Sequence, residues 1–152
     1  DGGIHKASVL AYLTGRPNQV FAVQVPPGIE GLDAEDGMVV TTRSANGVIG
    51  IINHSWSIGE PGGRPWVSVS GTEANIRFEM GDPWLEIEYG GSKETIRFDP
   101  DHRGIASMVL EFKRSIVEAS EPAMTGEEGL QDLKIVLKAY ESVQTGLPVE
   151  LD

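Results

Sequence analysis

The chain contains no cysteine. Disulfides, thiolate nucleophiles and Cys-ligated zinc are therefore excluded, and the absence fits a reducing cytoplasm, the compartment expected for this protein. Basic residues are also scarce: 12 Lys and Arg stand against 23 Asp and Glu, a formal charge of −11. Binding to a phosphate backbone needs a clustered basic surface, and none occurs, so no nucleic-acid partner is expected. The acidic balance is explained well enough by solubility. No apolar run approaches the ~20 residues of a membrane span, and no signal-peptide pattern opens the chain. No membrane partner is expected. The sequence holds no G-x-G-x-x-G, no P-loop lysine and no cluster at metal-ligand spacing, so neither a dinucleotide nor a metal is assigned to these residues. It also lacks an initiator Met, which raises the question of whether this is a whole protein or part of a larger one.

What is present is enough for one domain spanning residues 1–152 with a real core, since 39% of the residues are apolar and 23% charged. Ile4, Ala7, Leu10 and Leu13 recur at helical period, so residues 4–14 are expected to form a helix ended by Gly15 and Pro17. "NQVFAVQV" (18–25) is β-branched and aromatic and stops at Pro26-Pro27. Two further β-rich runs meet at Ala45-Asn46-Gly47. Asn-Gly tolerates the positive φ of tight turns, so a hairpin with strands near 37–44 and 48–57 is expected. The second of these is apolar on both faces from Val48 to Ile52 apart from Gly50, which predicts cover on both sides.

After a Gly/Pro loop (58–65), alternating runs at 66–71, 74–80, 84–90 and 93–99 each show one apolar and one polar side. The period then changes. Ile105, Met108, Val109, Phe112, Ile116 and Val117 make one helical stripe, and Leu130, Leu133, Val136, Leu137, Tyr140 and Val143 make another. "TGEE" (125–128) reads as the capping box of the second helix, Gly146 as its stop, and "PVEL" (148–151) as a closing strand. The expected class is α+β: an open, mainly antiparallel sheet with helices packed on one face and the other face available for oligomerisation.

Chemistry must come from few residues. There are three histidines. His5 stands four residues after Asp1 in "DGGIH", and in a helical turn such residues share a face. The carboxylate could orient the imidazole and stabilise its protonated form, and the glycines suit close approach by a substrate. An Asp that merely caps a helix start explains the same spacing. His54, in "NHSW" near a strand end, reads as a packing residue or a pocket contact. His102 reads as part of a helix start.

Together these residues resemble the C-terminal domain of the Gfo/Idh/MocA oxidoreductases, the glucose–fructose oxidoreductase and inositol dehydrogenase family. Asp1, Gly3 and His5 match the end of the family's D-x-G-x-H stretch. Glu35-Asp36, Asn46-Gly47 and Ser55-Trp56 fit its acidic pair, hairpin and strand end. "VSVSGTEANIRF" fits a later strand start, and "KAYESVQTGLPVEL" (138–151) fits its closing helix and strand.

The resemblance implies hydride exchange between NAD or NADP and a sugar, polyol or related alcohol. His5 would be the general base and Asp1 the orienting or charge-stabilising group. His54, Trp56 and Arg64 are the candidate substrate contacts. A family lysine and the dinucleotide fingerprint belong to an N-terminal Rossmann domain absent from these residues, so the isolated chain is expected to be inactive and to bind no cofactor. The resemblance also implies association through the open sheet face, and the two-sided apolar strand 48–52 points to the same homo-oligomer. Two alternatives stand beside this reading. One is a free-standing, non-catalytic dimerisation or small-ligand-binding domain of the same fold. The other is a family member with altered chemistry, such as nicotinamide-dependent hydrolysis or biliverdin reduction.

Overall fold

The computed structural model describes residues 2–57, 66–79, 83–101 and 104–151. In chain order the elements are α1 (Gly2–Thr14), β1 (Pro17–Gln24), β2 (Gly37–Ser44), β3 (Ile49–Ser55), β4 (Val67–Ser70), β5 (Ala74–Phe78), β6 (Trp84–Tyr89), β7 (Ser92–Arg97), α2 (Ile105–Glu118), α3 (Gly126–Thr145) and β8 (Val149–Glu150). The class is α+β and every strand pairing is antiparallel. The strands divide between two four-stranded sheets, β3-β2-β1-β8 and β4-β5-β6-β7. The chain correspondingly forms two compact units, Asp1–Gly59 with Met124–Asp152, and Glu60–Ala123.

The first unit is built on strand alternation. Val20, Ala22, Val40 and Ile52 point inward from β1, β2 and β3, and Ala7 and Leu10 of α1 with Ile135 and Ala139 of α3 complete the buried core. α3 lies over β1 and α1 over β3, so both helices cover the same face. Gly50 is what lets α1 sit so low. A Cβ there would come within 2.5 Å of Leu10 Cδ1 and 2.6 Å of Thr42 Oγ1, so Leu10 rests directly on the β3 backbone. The β2–β3 turn uses Gly47 at φ 85°, with Val48 N–H donating to Asn46 Oδ1 at 3.1 Å. The opposite face of β1–β3 is open within one chain: Val23 is 55% exposed, Ile49 56% and Ile51 70%. The cover expected on both sides of strand 48–52 is thus present on its helix side.

β8 pairs with β1 at two positions, Gln19 with Glu150 and Val20 with Val149. Continuing that register would place Leu147 opposite Ala22, but Gly146 at φ 69° has just ended α3 and the backbone cannot close the next rung. The fully buried Ser142 closes it instead. Its Oγ accepts from Ala22 N–H at 3.0 Å and donates to the Leu147 carbonyl at 2.7 Å. One hydroxyl therefore ties α3, β1 and the final turn together.

The second unit is a meander of β4 to β7. Val67, Phe78, Leu85 and Ile96 align across one face, as do Val69, Ile76 and Ile87. The other face carries charge: Arg77 Nη1 and Nη2 lie 3.8 Å from Glu86 and 3.6 Å from Glu88, and Lys93 Nζ lies 2.6 Å from Glu86. Gly90 and Gly91 turn the β6–β7 hairpin at φ 55° and 76°. α2 presents exposed apolar side chains such as Met108 and Phe112.

Replacing Ser142 by Ala leaves a buried N–H and a carbonyl without their shared partner, and each such loss costs about 1–3 kcal/mol. Urea unfolding of Ser142→Ala is expected to show a lowered midpoint with an unchanged m-value. An unmoved midpoint would show that Ala22 and Leu147 find other partners.

Candidate functional site

Period-two alternation puts His54 on the same face as Gly50 and Ile52, beneath the first turn of α1. The contact is close. A Cβ on Gly2 would lie 2.6 Å from His54 Cε1, 2.9 Å from its Nε2 and 3.4 Å from Trp56 Cζ2. Gly2 is thus a glycine because the His54 ring occupies its side-chain space. His54 and Trp56 meet edge to face, centroids 5.4 Å apart at 83°. Two of the residues singled out as substrate contacts are therefore brought to the first turn of α1, which carries Gly2, Gly3 and His5. Lys6 Nζ, donating to the Asn53 carbonyl at 2.8 Å, fixes the same turn to β3.

His5 lies on α1 but is exposed, while Gly3, Ile4 and Ala7 of the helix line a cavity of about 410 Å³. That cavity is closed by Met38, Val40 and Ile52 of the sheet, by His54 and Trp56, and by Leu133, Val136, Leu137 and Tyr140 of α3. Asp1, Arg64 and His102 lie outside the described residues. Among the described residues no group of carboxylates and imidazoles could hold a metal ion, and no helix is long and apolar enough to cross a membrane.

The cavity wall also carries two carboxylates, Glu35 and Asp36. Asp36 is 1% exposed. Its Oδ2 accepts from Gly28 N–H at 2.6 Å and Ile29 N–H at 3.0 Å, and its carbonyl accepts from Trp56 N–H at 2.6 Å. One residue thereby anchors the start of the 26–36 loop and the residue that follows β3. The Gly28 amide, with the Ser57 hydroxyl and the Ile29 amide, holds the Asp36 carboxyl below its ordinary value against the opposing effect of burial. Glu35 accepts a hydrogen bond from the Tyr140 hydroxyl. That bond, then burial and the nearby negative charge, push the Tyr140 phenol up to about 12.

The sequence motifs matched both ends of the Glu35–Tyr140 pair without showing that the two meet. They are 105 residues apart, and the only cue was the polar hydroxyl within an otherwise apolar stripe on α3. The Gly2–His54 contact was equally hidden, although a glycine inside the first helical turn is a signal of close approach.

Tyr140 supplies a pH test. Folding favours its neutral form, so its contribution to stability is present below the ordinary value near 10 and is lost as pH rises through about 12. In an ultraviolet titration, the tyrosinate component removed by Tyr140→Phe is expected to have its midpoint near 12, and Glu35→Gln to move it down. A midpoint near 10 for the component that Tyr140→Phe removes would contradict the pair.

The description of the GFO/IDH/MocA C-terminal domain matches residues 1–77. No curated protein matches the chain. Among solved structures, an oxidoreductase from Agrobacterium radiobacter in complex with NAD+, L-tartaric acid and magnesium superposes with a TM-score of 0.84 at 19% identity, covering 99% of this chain and 48% of its own. Aldose-aldose oxidoreductase from Caulobacter crescentus, complexed with glycerol, gives 0.81 at 22% identity over 98% and 46%. UDP-N-acetylglucosamine 3-dehydrogenase from Acidithiobacillus ferrooxidans gives 0.78 at 21% identity over 93% and 45%. The chain thus spans about half the length of these structures, and at such identities they show a shared fold. With half of the sequence covered by the family description, including the turn that seats His54 and Trp56, the chain belongs to the GFO/IDH/MocA C-terminal domain family.

Proposed function

We propose that this chain is the substrate-binding and oligomerisation domain of an NAD(P)-dependent oxidoreductase acting on a sugar, polyol or related alcohol. The observation that carries the reading is the family match beginning at Asp1, on a turn packed against His54 and Trp56. The nicotinamide cofactor would be held by the rest of a longer protein. This chain's own residues do not suit it: a pyrophosphate calls for a glycine-rich helix start or cations, whereas the cavity wall offers apolar side chains and the carboxylates of Glu35 and Asp36.

The domain's own part is then to bind the alcohol and move its proton. His5, exposed on α1, takes the hydroxyl proton during oxidation and returns it during reduction, with Asp1 orienting the reacting group. Trp56 offers an aromatic surface to the C–H face of a sugar, and His54 and Arg64 bind hydroxyls. The absence of cysteine supports a cytoplasmic location. A free-standing ligand-binding module is the second reading, favoured by a cavity whose lining comes from this chain's own residues.

The reading is tested on the protein expressed from its full natural reading frame. His5→Ala is expected to lower kcat about 10²–10⁴-fold while nicotinamide binding, followed by fluorescence, persists. Unchanged turnover would remove His5 from the mechanism, and a frame without a cofactor domain would give the lead to the binding module.

Association rests on the open face of β1–β3, where Phe21, Thr41 and Ile51 align in one row and Val23, Val39 and Asn53 in the next. Burying such a surface is favourable by roughly 25 cal/mol per Å² of apolar area. The 152-residue chain is expected to scatter light as a dimer or larger at micromolar concentration and Ile51→Glu as a monomer. A monomeric mass for the unaltered chain would count against this use of the sheet.

A further inference from the structure

The cavity between α1, the β2–β3 strands and α3 has a charge character that the family assignment leaves open. Its lining holds two carboxylates, Glu35 and Asp36, and no Lys or Arg among the described residues. No ion pair to either carboxylate is present among those residues. The two acids differ in what they can offer. Asp36 is the less available: it is almost wholly buried and its Oδ2 already accepts two backbone N–H groups. Glu35 is half-buried, and one of its oxygens is held by the Tyr140 hydroxyl. Its other oxygen accepts no hydrogen bond from the described residues.

A carboxylate whose orientation is locked by a neighbour, with one oxygen still able to accept, is a directional acceptor. Beside apolar walls its charge is weakly screened. The remaining wall argues in the same direction. Apart from the ring N–H groups of His54 and Trp56, the wall residues Ile4, Met38, Val136 and Leu137 offer no partner to a charged group, and an anion among them would face two carboxylates with no Lys or Arg among the described lining residues to offset its lost hydration.

We infer that this cavity selects its ligand by charge: Glu35, positioned by Tyr140, accepts a hydrogen bond from a hydroxyl or ammonium group, so the site takes uncharged or amine-bearing alcohols and rejects carboxylated or phosphorylated ones. This inference rests on the reading of the domain as a substrate-binding unit, and it narrows the substrate class within that reading. Glu35 is a specificity-determining residue and Tyr140 its positioning residue.

The probes are three hexoses that differ chiefly in charge: D-glucosamine, D-glucose and D-glucuronate. Their binding to the 152-residue chain is followed by ligand-detected NMR without any cofactor. Glucosamine is expected to bind about tenfold more tightly than glucuronate, the size of one charge-assisted hydrogen bond, with glucose between them. Raising the salt concentration should shrink the glucosamine preference, because it screens the carboxylate. Glu35→Gln can still accept from Tyr140, so the fold is expected to persist in a thermal melt while the charge preference collapses. Tyr140→Phe keeps the charge but frees the carboxylate, and should retain a reduced preference.

Glucuronate binding as well as glucosamine would overturn the inference. So would a preference that survives Glu35→Gln, or one that ignores salt, or the absence of binding by all three sugars. The two readings fail separately. The expected charge order together with a full-length protein that transfers no hydride would remove the dehydrogenase reading and leave the cavity's selectivity standing.

Discussion

The first structural unit depends on a single hydroxyl placed where a strand runs out. β1 is paired along its length by β2, but on its other edge β8 supplies only two residues. The next N–H, that of Ala22, would be buried and unpaired. Ser142 supplies the missing acceptor and donates its own hydroxyl hydrogen bond to the Leu147 carbonyl. Because Ser142 belongs to α3, this rung also fixes the height of that helix over the sheet, and with it the positions of Leu133, Val136 and Tyr140 on the cavity. A side chain standing in for a backbone partner satisfies two groups at once, and deleting it exposes both to the desolvation penalty.

Asp36 plays the corresponding part at the other end of the site. Through its carboxylate it gathers the amides that open the 26–36 loop, and through its carbonyl it holds the residue that carries the Trp56 ring. The neighbouring Glu35 is thereby presented to Tyr140. The lowered Asp36 pKa and the raised Tyr140 pKa have a common electrostatic logic: donors gather around one carboxylate, and the phenol keeps its proton because the other carboxylate accepts a hydrogen bond from it.

Much of this architecture was legible in the sequence because it is local. Asn46-Gly47 marked the β2–β3 turn, and Thr125 with Glu128 marked the start of α3. That capping box is present, with Thr125 N–H donating to Glu128 Oε2 at 2.8 Å and Glu128 N–H to Thr125 Oγ1 at 3.2 Å. Alternation in 74–78 and 84–89 correctly separated the apolar from the charged side of the second sheet, Met80 lying outside the described residues. What stayed hidden is what depends on pairing across distance. Nothing in the local pattern of β3 or β4 says that they belong to separate sheets, since that follows from partners elsewhere in the chain. His54 and Trp56 stood out by residue type, but their position under Gly2 required the fold. Of the family motif's site residues, His5 is on the expected helix and exposed, whereas Asp1 lies outside the described residues.

Gly50 also has a mechanical consequence. Most helices ride on a sheet through a layer of interlocking side chains, and that layer can absorb small displacements by rotamer adjustment. Leu10 instead rests on bare backbone, and the next residues along that strand, Ile49 and Ile51, form its open outer face. At Gly50, only one peptide thickness and the side chain of Leu10 stand between whatever presses on that face and the helix bearing His5. A shift or tilt of β3 is therefore transmitted to α1 with little damping, making the strand a stiff lever between the outer surface and the first helical turn.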